Sequence, residues 1–186
     1  GQVLTSAGAG AQPAFEDAGG GAWAVLSSGT FSSVSSVAIT GITKTTQIIF
    51  SGVTVTTNNT GFGVKYSNDA GVSYEATGYY QGIRFVKSDA GVGHVARVNT
   101  TSIRMDNNSV GNSAGKVASL DLTVYNPQDA GTYTAARINT QHVDDTGTTM
   151  HYFGGAIYQV AEAVNAINVA PDAGNFSGTY TVFELN

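Results

Sequence analysis

The chain has 186 residues, no cysteine and a net charge of −5, and only 11% of its residues are charged. This length can bury a hydrophobic core unaided, and the lack of cysteine excludes a disulfide framework, a thiolate metal site and a thiol nucleophile. The eight Lys and Arg residues are dispersed and no apolar run approaches the roughly 20 residues of a membrane span, so we expect neither nucleic acid nor membrane insertion.

The first 21 residues differ in composition from the rest. They are rich in Gly and Ala and end in Ala18-Gly19-Gly20-Gly21, a composition typical of flexible linkers. We therefore expect a short extended N-terminal lead over residues 1–21, which joins one domain over residues 22–186.

From Trp23 onward, apolar and polar residues alternate, the pattern of half-buried β-strands. Turn-forming residues separate about ten such segments at intervals of roughly 8 to 12 residues, which is typical of a sandwich or barrel. We therefore predict an all-β fold, an antiparallel β-sandwich, with strands within residues 30–40, 46–50, 53–56, 62–66, 83–87, 94–99, 117–125, 133–139, 149–153, 165–169 and 178–185.

Residues 157–167 fit two interpretations. The run Val160-Ala161-Glu162-Ala163-Val164 has a spacing that also suits a short amphipathic helix. Gly154-Gly155 and Pro171 bound a span that is too short for two helices, which favours strands.

The tripeptide Asp-Ala-Gly occurs five times and predicts a recurring turn. In such a turn the Asp side chain accepts a hydrogen bond from the backbone two residues on, and Gly takes a positive φ. The copy within residues 67–73 is expected to form a hairpin loop. A calcium site is disfavoured, because calcium loops need several closely spaced oxygen ligands. The five copies begin at Asp17, Asp69, Asp89, Asp129 and Asp172.

Motifs for catalysis are missing. There is no G-x-S-x-G elbow, and His142, Asp144, Asp145 and His151 lack the H-E-x-x-H spacing of a zinc site, so residues 141–148 are interpreted as a polar hairpin loop. Two glutamates, Glu75 and Glu162, could serve a glycosidase only if the fold brings them together. We expect no enzymatic activity, no catalytic residue, no metal and no cofactor.

Aromatic residues provide the stronger indication of a binding surface. Sugar-binding sites stack pyranose rings on aromatic side chains and orient them with polar groups. In Tyr79-Tyr80 and Tyr152-Phe153, strand alternation sends one ring of each pair into the core and the other outward. We take Tyr79, Tyr80, His142 and Tyr152 as candidate ligand-binding residues. Trp23 is expected to pack in the core or at an interface.

Several segments resemble bacteriophage tail-fibre and virion structural proteins. Residues 1–15, GQVLTSAGAGAQPAF, resemble a segment that ends a fibrous stem and introduces the next module. Residues 22–26, 66–74, 78–80 and 174–183 resemble the jelly-roll tip modules of phage fibres. The ending Phe183-Glu184-Leu185-Asn186 departs from the Tyr-Gly that usually closes such tips.

The resemblance implies a jelly-roll-like, receptor-binding tip module on the virion, made in the bacterial host cytoplasm. It implies a homotrimer that attaches to a host-surface glycan or protein and that contacts other virion proteins through the N-terminal lead. Trimeric display would strengthen weak attachment, because each later contact is intramolecular. The alternative is a purely structural virion component, such as a capsid decoration, a head fibre or a tail protein.

Overall fold

A computed structural model describes residues 22–107 and 110–186, together with the backbone of residues 2–5 and 14–17. These residues contain no helix, and all their paired strands are antiparallel. The strands are β1 Gln2–Thr5, β2 Ala14–Asp17, β3 Trp23–Val34, β4 Val37–Thr40, β5 Thr46–Val55, β6 Phe62–Ser67, β7 Tyr79–Lys87, β8 Val92–Thr100, β9 Ile103–Arg104, β10 Ala118–Tyr125, β11 Thr134–Val143, β12 Thr149–Tyr158, β13 Ala166–Pro171 and β14 Phe176–Leu185.

The strands from β3 onward form two sheets. The larger has the order β3-β14-β5-β10-β11-β12-β7-β8, and the smaller has the order β4-β13-β6-β9. The position of β13 between β4 and β6, and of β12 beside the hairpin β7-β8, is that of a jelly roll. The hairpin β10-β11, inserted between β5 and β12, and the edge pair β3-β14 enlarge it. The predicted antiparallel, jelly-roll-like sandwich is thus confirmed.

Aromatic side chains fill the space between the sheets. Phe62 of the small sheet lies 5.5 Å from Phe176 of the large one, measured between ring centroids. Tyr66 of the small sheet lies 5.8 Å from Tyr79 and 5.6 Å from Tyr158. All five side chains are buried, and rings of this size dominate the energetics of a core.

A polar network ties the short strand β9 to both sheets. The backbone N–H of Arg104 donates to Gln81 Oε1 of β7 at 2.5 Å, and the guanidinium of Arg104 forms an ion pair with Asp172. Asp106, fully buried, accepts from the backbone N–H of Phe62 at 3.1 Å. These contacts satisfy the backbone N–H groups of Arg104 and Phe62.

The Asp-Ala-Gly turns follow the prediction in part. Asp89 and Asp129 accept from the N–H of the glycine two residues on, at 3.3 and 2.9 Å. The positive φ predicted for that glycine is not found at Gly91 or Gly131, and Ala90 has it instead. Asp172 instead holds Arg104, although Gly174 has a φ of +73°. The side chain of Asp17 lies outside the described residues.

The predicted hairpin loop at residues 67–73 is wrong. Strands β6 and β7 belong to different sheets, so this segment crosses from one sheet to the other. Asp69 shapes the crossing, because its carboxylate accepts from Ser73 Oγ at 2.6 Å and from Ser73 N at 2.9 Å. These hydrogen bonds from Ser73, with one from Ser67, lower the pKa of Asp69 to about 2.

Two other segments differ from their predicted bounds. Strand β12 runs to Tyr158 and β13 begins at Ala166, with a loop between them, so residues 157–167 contain no helix and only their ends are strand. The hairpin expected at 141–148 exists, but β11 continues to Val143. His142 therefore lies in a strand and not in the turn.

The predicted lead is described only where it forms β1 and β2, which pair with each other. The glycine-rich segment 18–21 lies outside the described residues.

Candidate functional site

The large sheet has one face against the small sheet and one face turned away from it, called here the outer face. Along β12, Met150, Tyr152, Ala156 and Tyr158 are buried while Phe153 and the other alternate residues are exposed or half-buried. Cross-strand partners share a face. The register therefore shows which side chains of distant segments meet on the outer face.

A groove crosses the outer face near the end where β7 begins. It is open to solvent and has a volume of about 560 Å³. Its floor consists of small residues, because Gly82 is opposite both Ala96 and Gly155 in the register. The groove is defined by the floor residues Gly82, Ala96, Ala135 and Gly155 and the wall residues Tyr80, Val98 and Ile157.

The wall residues leave apolar surface uncovered. Val98 is 73% exposed and Ile157 is 42% exposed. A Cβ built on Gly82 meets no atom within 4 Å, so the floor there is open. This contiguous apolar depression is of the kind that marks an interaction surface.

Beside the groove, further along the same strands, lies a mixed aromatic and polar surface. Phe153 is opposite Arg84, which is opposite His94. His151 lies 5.3 Å from the Phe153 ring and contacts Asn139 Oδ1 through Nε2 at 2.6 Å. We define the Phe153 patch as Arg84, His94, Asn139, His151 and Phe153.

At the opposite edge of the large sheet, the outer face carries a ridge of larger apolar side chains. Trp23 is opposite Leu185, and Val25 is opposite Phe183, beyond a bulge in the ladder. Trp23 is 40% exposed and Val25 is 61% exposed. Trp23 is thus not a core residue, and its interface interpretation stays a prediction. We define the ridge as Trp23, Val25, Phe183 and Leu185.

The four predicted ligand-binding residues do not lie on one face of the large sheet. Tyr80 lines the groove, whereas Tyr79, Tyr152 and His142 are buried between the sheets. The hydroxyl of Tyr79 accepts from the backbone N–H of Tyr66 at 2.8 Å. A molecule on the outer face therefore reaches Tyr80 and not the other three, and these three side chains pack the core.

His142 stacks on Tyr152 with ring centroids 5.5 Å apart and an interplanar angle of 14°. Burial lowers the pKa of His142 to about 4, although the nearby Asp144 carboxylate acts in the opposite direction. Its imidazole is thus held neutral as part of the core.

The two glutamates considered for glycoside hydrolysis lie at one end of the sandwich, near the same tyrosines. Glu162 accepts from Tyr158 Oη at 2.5 Å and from Asn68 Nδ2 at 2.8 Å. Desolvation raises the pKa of Tyr158 and of Tyr79, and the charges of Glu75 and Glu162 raise both further. The carboxylate of Glu162 therefore anchors a loop.

Within the described ranges, His, Asp and Glu residues form no group of three that could hold a metal ion. The same residues include no helix of the length and hydrophobicity that a membrane crossing requires.

Comparisons with protein-family models, with curated proteins and with solved structures find no significant match to this chain.

Proposed function

We propose that this chain is a bacteriophage fibre or spike module that attaches the virion to a host-surface glycan, and that it does so as a trimer without catalysing a reaction. The resemblance of residues 1–15 and of the closing strand to phage fibre proteins supports the virion context. The Phe153 patch is the observation that carries the attachment role.

The chemistry of the Phe153 patch suits a sugar. Phe153, 39% exposed, offers an aromatic ring on which the apolar face of a pyranose can stack. Arg84 supplies several N–H donors, and His94, His151 and Asn139 supply further donors and acceptors for hydroxyl groups. Because these side chains project from paired strands, the ladder fixes their backbone positions and no loop has to become ordered on binding.

The test measures binding of the purified full chain to envelope polysaccharide from candidate hosts. Saturable binding is expected, and Phe153→Ala is expected to weaken it about tenfold, which corresponds to roughly 1.4 kcal/mol. Tyr133→Ala is the matched control, because Tyr133 is also a solvent-exposed aromatic residue, 55% exposed, and lies outside the patch. Equal losses in the two variants would contradict the assignment of the patch.

A structural role in the virion makes the opposite prediction. If the wild-type chain binds no envelope fraction from any host that the phage infects, yet particles fail to assemble without it, attachment is excluded. The alternative of a purely structural virion component then stands.

A further inference from the structure

The ridge and the groove lie on the same outer face but at opposite edges of the large sheet. Six strand spacings separate β3, which carries Trp23, from β7, which carries Gly82. At about 4.8 Å per spacing this is roughly 29 Å. The ridge therefore cannot fill the groove of its own chain.

The two surfaces differ in the size of their side chains. The ridge presents large side chains on an edge, and the groove presents a floor of glycine and alanine between apolar walls. Edge strands of soluble proteins usually carry charges, proline or other devices that prevent pairing with another chain. Strand β3 has 12 residues with neither a charged residue nor a proline, which is unusual for an exposed edge.

The two halves of the sheet are complementary in charge. On the outer face, strands β3, β14, β5 and β10 carry Asp121 and no Lys or Arg. On the same face, strands β11, β12, β7 and β8 carry Arg84 and Arg137 and no Asp or Glu. Opposite potentials favour encounter between unlike halves and disfavour contact between like halves.

We propose that the ridge of one copy packs into the groove of a second copy, so that the chain assembles through the outer face of its large sheet. The contact is between unlike surfaces, and repetition of it closes a ring when the rotation between copies permits. The proposal deepens the self-association named in the proposed function and rests on that part alone. The residues that define the ridge and the groove lie outside the Phe153 patch.

The single tryptophan of the chain lies in the ridge and gives a direct test. In sedimentation experiments the wild-type protein is expected to exceed the 19.1 kDa of one chain as its concentration rises. Over the same range, Trp23 emission is expected to shift to shorter wavelength and to become protected from acrylamide. A monomer at every concentration, or a Trp23 quenched equally throughout, would overturn the proposal.

Gly82→Leu fills the groove about 29 Å from Trp23 on the same chain. It is expected to abolish both assembly and the protection of Trp23, an effect that can reach Trp23 only through a second copy. Ala38→Leu, on an exposed position of the small sheet, is the matched control and is expected to assemble as wild type. Unchanged assembly of Gly82→Leu would contradict the proposal.

Val25→Asp is the second variant, and it alters the ridge in place of the groove. It is expected to be monomeric and, since Val25 is exposed, folded. Polysaccharide binding by the monomeric variants distinguishes the two proposals. If the wild-type chain assembles but binds no glycan, the ridge-and-groove contact is supported and the Phe153 patch is contradicted. If the wild-type chain is a monomer that binds glycan, the patch is supported and the contact is contradicted.

Discussion

The inner and outer faces of the large sheet consist of alternate residues of the same strands, yet the inner side chains are buried and the outer ones are exposed to solvent. Tyr152 and Phe153 are neighbours in the chain, but the first is 2% exposed and the second 39%. Tyr79 and Tyr80 differ in the same way. A single step along a strand therefore separates residues that stabilise this fold from residues that are exposed on the outer face.

The largest difference between the faces is expected for aromatic truncation. Tyr152→Ala removes a ring that packs on Phe85 and His142 between the sheets, and such a change costs about 3–5 kcal/mol. Phe153→Ala is expected to change the free energy of unfolding by less than about 1 kcal/mol. Denaturant unfolding of both variants measures the difference, and similar losses would show that the outer ring also belongs to the core.

Burial of His142 on the inner face is expected to make the stability of the fold depend on pH. The unfolded chain protonates His142 below its ordinary pKa of 6.5, whereas the folded chain does so only near pH 4. The folded state therefore binds fewer protons in that window, and stability falls as pH decreases from about 6.5 to about 4. The loss approaches roughly 3 kcal/mol.

His142→Phe keeps a ring against Tyr152 and is expected to flatten this part of the stability curve. Asp69 and Asp144 have lowered pKa values, so the stability that they contribute is lost mainly below the histidine window. Unfolding midpoints measured between pH 7 and pH 4 isolate the histidine. An unchanged slope in the variant would assign the dependence to other groups.

The smallest effects are expected for glycine substitutions on the two faces. A Cβ on the inward Gly154 meets Gly82 O and Ile83 Cα of the neighbouring strand, so Gly154→Ala is expected to cost about 1–3 kcal/mol. Gly82→Ala points into open space and is expected to be neutral or to stabilise by about 0.5 kcal/mol. Thermal unfolding of the two variants checks the sign of each change.

The sequence was sufficient to predict the fold class, because period-2 alternation is a local property. It also predicted that each aromatic pair divides between core and surface. It could not predict which ring of each pair is buried, since that depends on which side of the strand the second sheet covers. For this reason the sequence alone predicts Tyr79 and Tyr152 as ligand-binding residues together with Tyr80.

The groove and the sheet crossing illustrate the limit of local patterns. Gly82, Ala96, Ala135 and Gly155 become neighbours only through the register of four strands. Likewise, a turn after Tyr66 looks the same in sequence whether the next strand pairs with the last one or joins the other sheet. Both features depend on which distant strands pair, and that pairing cannot be inferred from the identity of single residues.

The strand order also has a consequence for how the chain reaches its folded state. Among the described strands, β3 and β4 each have one hydrogen-bonded neighbour, which is β14 for the first and β13 for the second. Neither strand can form its backbone hydrogen bonds until residues 166–185 have been synthesised. Pairing of segments so far apart in the chain is slow, because it closes a long loop. During translation their backbone groups stay unpaired, which makes this interval the time when the nascent chain is most exposed to misassociation.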